Sequence, residues 1–178
     1  YFMEKLLVVV DMQNDFIDGA LGSEEAKKIV PTVVDKIKKH EGEIVFTLDT
    51  HKDDYLDTQE GRNLPVVHCE EGTHGHKVHK DLLDAAKDKK YTEIVKYTFG
   101  STALGEKVAR MFEEGLREVE IVGLVTDICV LSNTLLIKAF CPEVLVTVDA
   151  SCCAGSNREV HENALKAMKQ CQINVINE

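Results

Sequence analysis

The sequence predicts an α/β fold, a three-layer α/β/α sandwich around a mostly parallel sheet of about six strands. Three observations predict it. Short, uninterrupted apolar runs rich in Val and Ile recur along the chain, the pattern of strands buried on both faces. Amphipathic segments of helical period separate them, and strands alternating with helices imply right-handed crossovers and a sheet covered on both sides. Ionisable residues follow directly on several of the apolar runs, where the carboxyl ends of parallel strands border the ligand crevice of such a sheet.

Lys5-Leu-Leu-Val-Val-Val10 is the first of these runs, and Asp11 stands at its end. From Glu24 to His40, Ile29, Val30, Val33, Val34 and Ile37 share one face while lysines occupy the rest, which reads as an amphipathic helix. Ile44-Val-Phe-Thr-Leu48 is the second strand, with Asp49-Thr-His51 at its end. Lys52 to about His76 is polar with little periodicity, and a loop of that length in a compact domain is usually functional or disordered. A helix around Leu82–Lys87, a strand at Thr92–Val95 ending in Lys96, and a helix from Ala103 to Gly115 follow.

The next stretch, Glu120-Ile-Val-Gly-Leu-Val-Thr-Asp-Ile-Cys-Val130, begins as a buried strand and turns through Gly123 and Thr126-Asp127. Leu131, Leu135, Leu136 and Ala139 then continue it at helical spacing. Thr126 or Asp127 suits the N-cap, which puts Cys129 in the first helical turn. There the helix dipole and free backbone N–H groups are expected to lower the thiol pKa. Val144–Val148 is a further strand ending in Asp149, Glu159–Lys169 a helix, and Ile173–Ile176 the last strand. With no repeat or linker in view, one domain over 3–178 is expected, and the two residues before Met3 read as an addition to it.

A chain of 178 residues suffices for one domain with a sizeable core and is short for two. Its net charge of −10 argues against nucleic acid or an anionic membrane as partner, since either needs a basic face. No apolar run approaches the roughly 18 residues of a membrane span, and no charged segment followed by an apolar one marks an export signal. A cytoplasmic location with reduced thiols is the expectation. None of Cys69, Cys129, Cys141, Cys152, Cys153 and Cys171 falls in a C-x-x-C pair, so a zinc knuckle is not expected. The adjacent Cys152 and Cys153 should point one in and one out, and at least one thiol is free to act as a nucleophile. A cysteine taken at random is a small buried core residue. Convergence singles out Cys129: Asp11, Asp49, His51, Lys96 and Cys129 all fall at strand ends, from four separate strands, and together they define one site.

Four segments, in order along the chain, carry a resemblance: Val10-Asp-Met-Gln-Asn-Asp-Phe16; Asp49-Thr-His51 with Val67-His-Cys-Glu-Glu-Gly-Thr73; Lys96-Tyr-Thr-Phe-Gly-Ser101; and Gly123-Leu-Val-Thr-Asp-Ile-Cys-Val130. The chain resembles the isochorismatase-like cysteine hydrolases, most closely their nicotinamidase/pyrazinamidase branch. The resemblance implies a triad of Cys129 as nucleophile, Asp11 as general acid/base and Lys96 as cationic partner. The chemistry agrees, because a thiol attacking an amide at neutral pH needs a positive neighbour and a proton acceptor. The resemblance further implies a cis peptide at Leu124–Val125, which aims the backbone N–H groups of Val125 and Cys129 at the substrate's carbonyl oxygen.

Nicotinamidases bind a divalent ion beside the triad, whereas isochorismatases and several other relatives do not. Asp49, His51 and His68 match the nicotinamidase pattern for three ligands. The usual fourth, a histidine shortly after the first pair, is missing here. Some members use a glutamate about nine residues on, which favours Glu60 over Asp57. Two imidazoles and two carboxylates suit one divalent ion, Zn²⁺ first, with Fe²⁺ or Mn²⁺ also compatible. The resemblance makes that ion a Lewis acid and anchor for the pyridine nitrogen of nicotinamide. The plain alternative is a solvated acidic loop over Asp53–Glu60. His74, His76 and His79 fall downstream and are assigned no role.

Phe16 and, less directly, Phe99 are the candidates to stack on a substrate ring, although either could be a core residue. The branch often carries a tryptophan just before the second histidine. This chain has none, and Pro65 stands near that position. The resulting expectation is an amidohydrolase that converts nicotinamide to nicotinic acid and ammonia through a Cys129 thioester, in NAD salvage. Its partner would be a small amide, and its assembly a homo-oligomer. The competing readings are a metal-free isochorismatase-like cysteine hydrolase acting on another small amide, and a non-catalytic small-molecule binder.

Overall fold

The computed structural model describes residues 4–178, so the two residues ahead of Met3 lie outside the described residues. The strands are β1 (Glu4–Val10), β2 (Ile44–Asp49), β3 (Tyr91–Lys96), β4 (Leu116–Leu124), β5 (Leu145–Ala154) and β6 (Asn174–Ile176). The helices are α1 (Asn14–Ile17), α2 (Glu24–Lys39), α3 (Gln59–Asn63), α4 (Lys80–Ala86), α5 (Thr102–Glu113), α6 (Leu131–Phe140) and α7 (Arg158–Gln170). The strands form one sheet in the order β3-β2-β1-β4-β5-β6, and each neighbouring pair is parallel. No helix among the described residues is long and apolar enough to cross a membrane.

Alternation along the strands splits the core into the two layers that a double-sided sheet requires. Leu6, Val8 and Val10 of β1 face the side of Leu104, Val108, Ile137, Leu165 and Met168, on α5, α6 and α7. Leu7 and Val9 face Ala26, Ile29, Val30, Val33 and Ile37 of α2 with Leu82 and Ala86 of α4. Cys152 and Cys153 obey the same alternation but are both buried, one in each layer, because both faces of β5 are covered. The one-in, one-out expectation is corrected accordingly. All six cysteines are free thiols, and only Cys171 is exposed.

Local signals set the helix starts. Ser23 caps α2 by accepting from the Ala26 N–H, Ser101 caps α5 at Leu104, and Asn157 caps α7 at Val160. The polar stretch after Lys52 is less irregular than its sequence implies: it holds a 3₁₀ turn at Tyr55–Asp57 and then α3, capped by the Thr58 hydroxyl on the Gly61 N–H. Strand β5 runs to Ala154, so Asp149 lies inside it rather than at its end. A register irregularity between Ile121 and Gly123 of β4 accompanies that extension.

The Asp149 carboxylate instead holds α2 on the sheet. Lys36 Nζ lies 2.6 Å from both Asp149 Oδ2 and Glu120 Oε1, and Lys5 Nζ adds a 3.1 Å contact to Glu120 Oε2. Burial alone would lower the Lys36 pKa, but hydrogen bonds to Asp149 and Glu120 raise it well above the ordinary lysine value. Burial alone would raise Asp149, but Lys36 and Ser151 hold it below the ordinary carboxylate value.

Removing one partner of such a group leaves a buried charge uncompensated, at about 3–5 kcal/mol when fully buried. Lys36 keeps 23% of its side chain exposed, so Lys36→Met is expected to cost about 2 kcal/mol, read as a lower urea midpoint. The Asp149 part is present above the ordinary carboxylate value of about 4 and is lost as pH falls through the lowered one. The Lys36 part is fully present below 10.5 and lost as pH rises through the raised value. The stability gap between wild type and variant should therefore hold near neutrality and narrow in acid.

Candidate active site

Chain order runs outward from β1 to β3 on one side and from β4 to β6 on the other, so the direction of winding reverses between β1 and β4. That reversal opens the crevice where parallel sheets bind ligands. Asp11 leaves β1 there with φ +49°, a left-handed conformation that Asp tolerates better than most side chains. Its N–H donates to the Thr47 carbonyl at 3.1 Å, and its Oδ1 accepts from the Thr47 hydroxyl at 2.7 Å. Opposite, Gly123 has φ +123°, and a Cβ there would stand 2.2 Å from the Val10 carbonyl oxygen. Glycine at 123 is what lets β4 close on the strand end that carries Asp11.

Lys96 ends β3 in register with Asp49, the last residue of β2. Its buried ammonium lies 2.8 Å from Asp11 Oδ2, 3.5 Å from Asp49 Oδ1 and 3.3 Å from Cys129 Sγ, and donates to the Thr98 carbonyl at 3.1 Å. The four strand ends named by the sequence are thus brought together. Asp11 Oδ2 is close to Lys96 but off the direction of a hydrogen bond, and it has no hydrogen-bond partner among the described residues. It keeps an acceptor lone pair free.

Cys129 lies in the first helical turn after β4, as expected, but the turn is a π-helix at Thr126–Val130, with the Val130 N–H on the Val125 carbonyl at 3.1 Å. Single π turns occur mostly within α-helices and often at functional sites. Neither expected residue caps it. The Thr126 hydroxyl is 2.7 Å from His161 Nδ1, and the Asp127 carboxylate accepts from the backbone and hydroxyl of Ser156. The Leu124–Val125 peptide is cis.

The expectation of a depressed thiol pKa is also corrected. Burial, with the Asp11 charge added, pushes Cys129 well above its ordinary value, and Lys96 offsets only part of this. Burial likewise raises Asp11 against the pull of Lys96. Burial would lower Lys96, but Asp11, Cys129 and Asp49 raise it far more. Thiol, ammonium and carboxylate thus perturb one another, and burial sets the direction for Cys129 and Asp11 while the paired charges set it for Lys96.

Beside this group, Asp49, His51, Glu60 and His68 bring one ligand atom each to within 4.8 Å of one another. His51 Nε2 lies 2.9 Å from Asp49 Oδ2 and 3.6 Å from Glu60 Oε1, and His68 Nε2 lies 3.4 Å from Asp49 Oδ2. Glu60 rather than Asp57 joins the cluster; Asp57 is exposed at the end of the 3₁₀ turn, where its backbone carbonyl accepts from Arg62. His68 Nδ1 meets the Val66 carbonyl at 2.7 Å, so in the neutral ring this nitrogen carries the proton and the Nε2 lone pair faces the Asp49 carboxylate. A proton on Nε2 or a metal ion relieves that contact; burial alone would lower the His68 pKa, but the hydrogen bond to Asp49 raises it. The donor set fits a divalent ion with borderline-soft preferences. Burial would raise Asp49, yet hydrogen bonds from His51 and His68 and the Lys96 charge hold it well below the carboxylate range. Burial and the Asp49 charge raise Glu60.

Phe16 packs its ring 5.5 Å from that of His68 and is half-buried at the site; the Phe99 ring is 46% exposed. His76 meets the Thr50 hydroxyl at 2.8 Å and His79 caps α4, structural roles in line with the absence of any assignment.

Several supporting residues escaped the sequence reading. Gln13 bonds the Asp49 carbonyl and N–H, each at 2.8 Å, and its place in the first motif was the available signal. Thr47 and Tyr55 gave none. The buried Tyr55 ring lies 4.6 Å from His51 and 5.1 Å from His68, with its hydroxyl on the Leu64 carbonyl.

A doubly covered parallel sheet with thiol, carboxylate and ammonium at its switch point defines the class, and the sequence as a whole agrees with it: residues 5–178 match the isochorismatase domain, and the chain belongs to that family. The nicotinamidase of Schizosaccharomyces pombe is 26% identical, over 97% of this chain and 92% of the relative. The crystal structure of the nicotinamidase/pyrazinamidase PncA of Bacillus subtilis superposes with a TM-score of 0.84 at 27% identity, over 98% of this chain and all of that one. That of the Pyrococcus horikoshii pyrazinamidase in complex with zinc gives 0.81 at 28% identity, over 98% and 99%.

Glu60→Ala is expected to weaken zinc binding at least about tenfold and Asp57→Ala to leave it unchanged, measured by competition with a coloured chelator. Equal loss in both would remove the assignment of Glu60.

Proposed function

We propose that this hydrolase is a metal-dependent cysteine amidase whose substrate is nicotinamide, converted with water to nicotinic acid and ammonia. The observation that carries the proposal is the placement of Lys96 Nζ, 3.3 Å from Cys129 Sγ and 2.8 Å from Asp11 Oδ2, directly beside the Asp49–His51–Glu60–His68 cluster. The relatives named above support the substrate class.

In this reading Cys129 Sγ attacks the carboxamide carbon as Asp11 takes the thiol proton into its free lone pair. Proton transfer from the thiol accompanies its attack. Backbone N–H groups of Val125 and Cys129 receive the negative charge that develops on the carbonyl oxygen. Collapse breaks the C–N bond, and Asp11 returns the proton to departing ammonia. Asp11 then deprotonates water, which attacks the thioester carbon; nicotinic acid leaves and Cys129 is reprotonated. Lys96 keeps its charge throughout and holds Asp11 and Cys129 at their working separation.

Asp49, His51, Glu60 and His68 would hold the divalent ion, with zinc favoured by the relative crystallised with it. When bound, it supplies a Lewis acid and anchor for the pyridine nitrogen, orienting the carboxamide toward Cys129. Phe16, against His68, is placed to stack on the ring, and Phe99 is the second candidate at the rim. We assign the protein to the cytoplasm, to NAD salvage and to a homo-oligomeric state as parts of the same proposal.

The test is ammonia release from nicotinamide by wild type and Cys129→Ala, with zinc counted on the same samples. Turnover in wild type, falling at least about 10⁴-fold in the variant at about one zinc per chain, is the expected result. A full metal complement without turnover would move the substrate to another amide. Absence of both would point to the metal-free branch of the family.

A further inference from the structure

The side chain of Asn133, on the first turn of α6, is fully buried and bonds three backbone groups. Its Nδ2 donates to the Cys129 carbonyl at 2.8 Å and to the Phe99 carbonyl at 3.1 Å, while its Oδ1 accepts from the Ser101 N–H at 2.8 Å. The orientation of the amide is not arbitrary. Exchanging its oxygen and nitrogen would set two carbonyls against an oxygen and an N–H against an NH₂.

These three groups belong to the two segments that matter most. Cys129 is the proposed nucleophile, one helical turn before Asn133. Phe99 and Ser101 lie in the strap that follows Lys96, the same strap whose Thr98 carbonyl accepts from the Lys96 ammonium. The Lys96 side chain therefore meets Cys129 directly at 3.3 Å, and the two backbones are tied a second time through a single buried amide. The strap packs closely as well: a Cβ at Gly100 would stand 3.4 Å from both Leu136 and the Ser132 carbonyl of α6.

We infer that Asn133 is a positioning residue that fixes the separation of the Lys96 ammonium and the Cys129 sulfur by clamping the 97–101 strap to the nucleophile turn. The inference rests on the reading of Cys129 as nucleophile and Lys96 as its cationic partner. A buried side chain that satisfies three backbone groups has no cheap substitute, since each group left unpaired costs free energy. Small displacements of catalytic groups are amplified in rate, about 100-fold for 1 Å.

Two variants test it. Asn133→Ala removes all three bonds. Asn133→Asp keeps the shape and the acceptor for Ser101 but loses both donors. Folding is checked by circular dichroism and zinc content by metal analysis. The first readout is the iodoacetamide alkylation rate of Cys129, followed by mass spectrometry on its own peptide so that exposed Cys171 does not interfere. The second is steady-state kinetics with nicotinamide.

The expected result is alkylation at least about tenfold slower in both variants, a comparable fall in kcat, KM within threefold of wild type, and unchanged zinc. A folded variant alkylated within twofold of the wild-type rate would overturn the inference, and so would failure of both variants to fold, which would assign Asn133 to stability alone. If wild type releases no ammonia from nicotinamide, the substrate assignment falls, while the alkylation comparison still decides the role of Asn133.

Discussion

The Lys96 ammonium is the charge around which the carboxyl end of the sheet is arranged. A buried cation is tolerated only where neighbouring charges and acceptors replace its hydration. Here Asp11, Asp49, Thr98 and Cys129 do so, and they arrive from β1, β2, the segment after β3, and the turn after β4. The strand order that produces the switch point is therefore also the arrangement that makes the cation affordable. Each partner is held from behind: Asp11 by Thr47, Asp49 by Gln13, and Cys129 through its carbonyl by Asn133.

The two ends of the sheet divide their tasks. At the carboxyl ends, charge is concentrated around the Lys96 ammonium and a cluster of four residues of metal-ligating type, Asp49, His51, Glu60 and His68. Below, on the α2 face, a second lysine, Lys36, joins Glu120 and Asp149 and fixes the helix against β4 and β5. The same device gathers the strand ends in one place and seats a helix in the other. What differs is the neighbour: a thiol and a carboxylate oxygen that is ion-paired but not hydrogen-bonded stand beside Lys96, whereas carboxylate oxygens alone face Lys36.

Much of this was legible in the sequence because it follows from period and position. Continuous apolar runs marked the strands, and the ionisable residue after each run marked the crevice, so Asp11, Asp49, His51, Lys96 and Cys129 could be gathered before any coordinates. The choice of Glu60 over Asp57 came from family spacing, and α3 provides the reason: the helix turns Glu60 inward and leaves Asp57 in the preceding 3₁₀ turn. What was not legible depended on three-dimensional neighbours. The Cys129 pKa was expected to fall because the helix terminus is visible in sequence, whereas burial and the Asp11 charge, which raise it, are not. Thr126 and Asp127 looked like caps, yet their oxygens are taken by His161 and Ser156 from the far end of the chain. The end of β5 was placed too early because Asp149 reads as a strand terminus until Lys36 is found beside it.

The segments that carry the two cluster histidines are joined to each other by backbone hydrogen bonds: the His51 N–H donates to the Cys69 carbonyl at 3.0 Å and the Glu71 N–H to the His51 carbonyl at 2.9 Å. Asp15 secures the same corner from α1 by accepting from the Cys69 N–H at 2.8 Å. In a zinc finger the ion is the fastening and the chain collapses without it. Here peptide hydrogen bonds fasten the segments that carry His51 and His68. The fold then does not hang on an ion at the cluster, and any ion held there would be selected by supply and donor chemistry, decoupled from whether the protein stands.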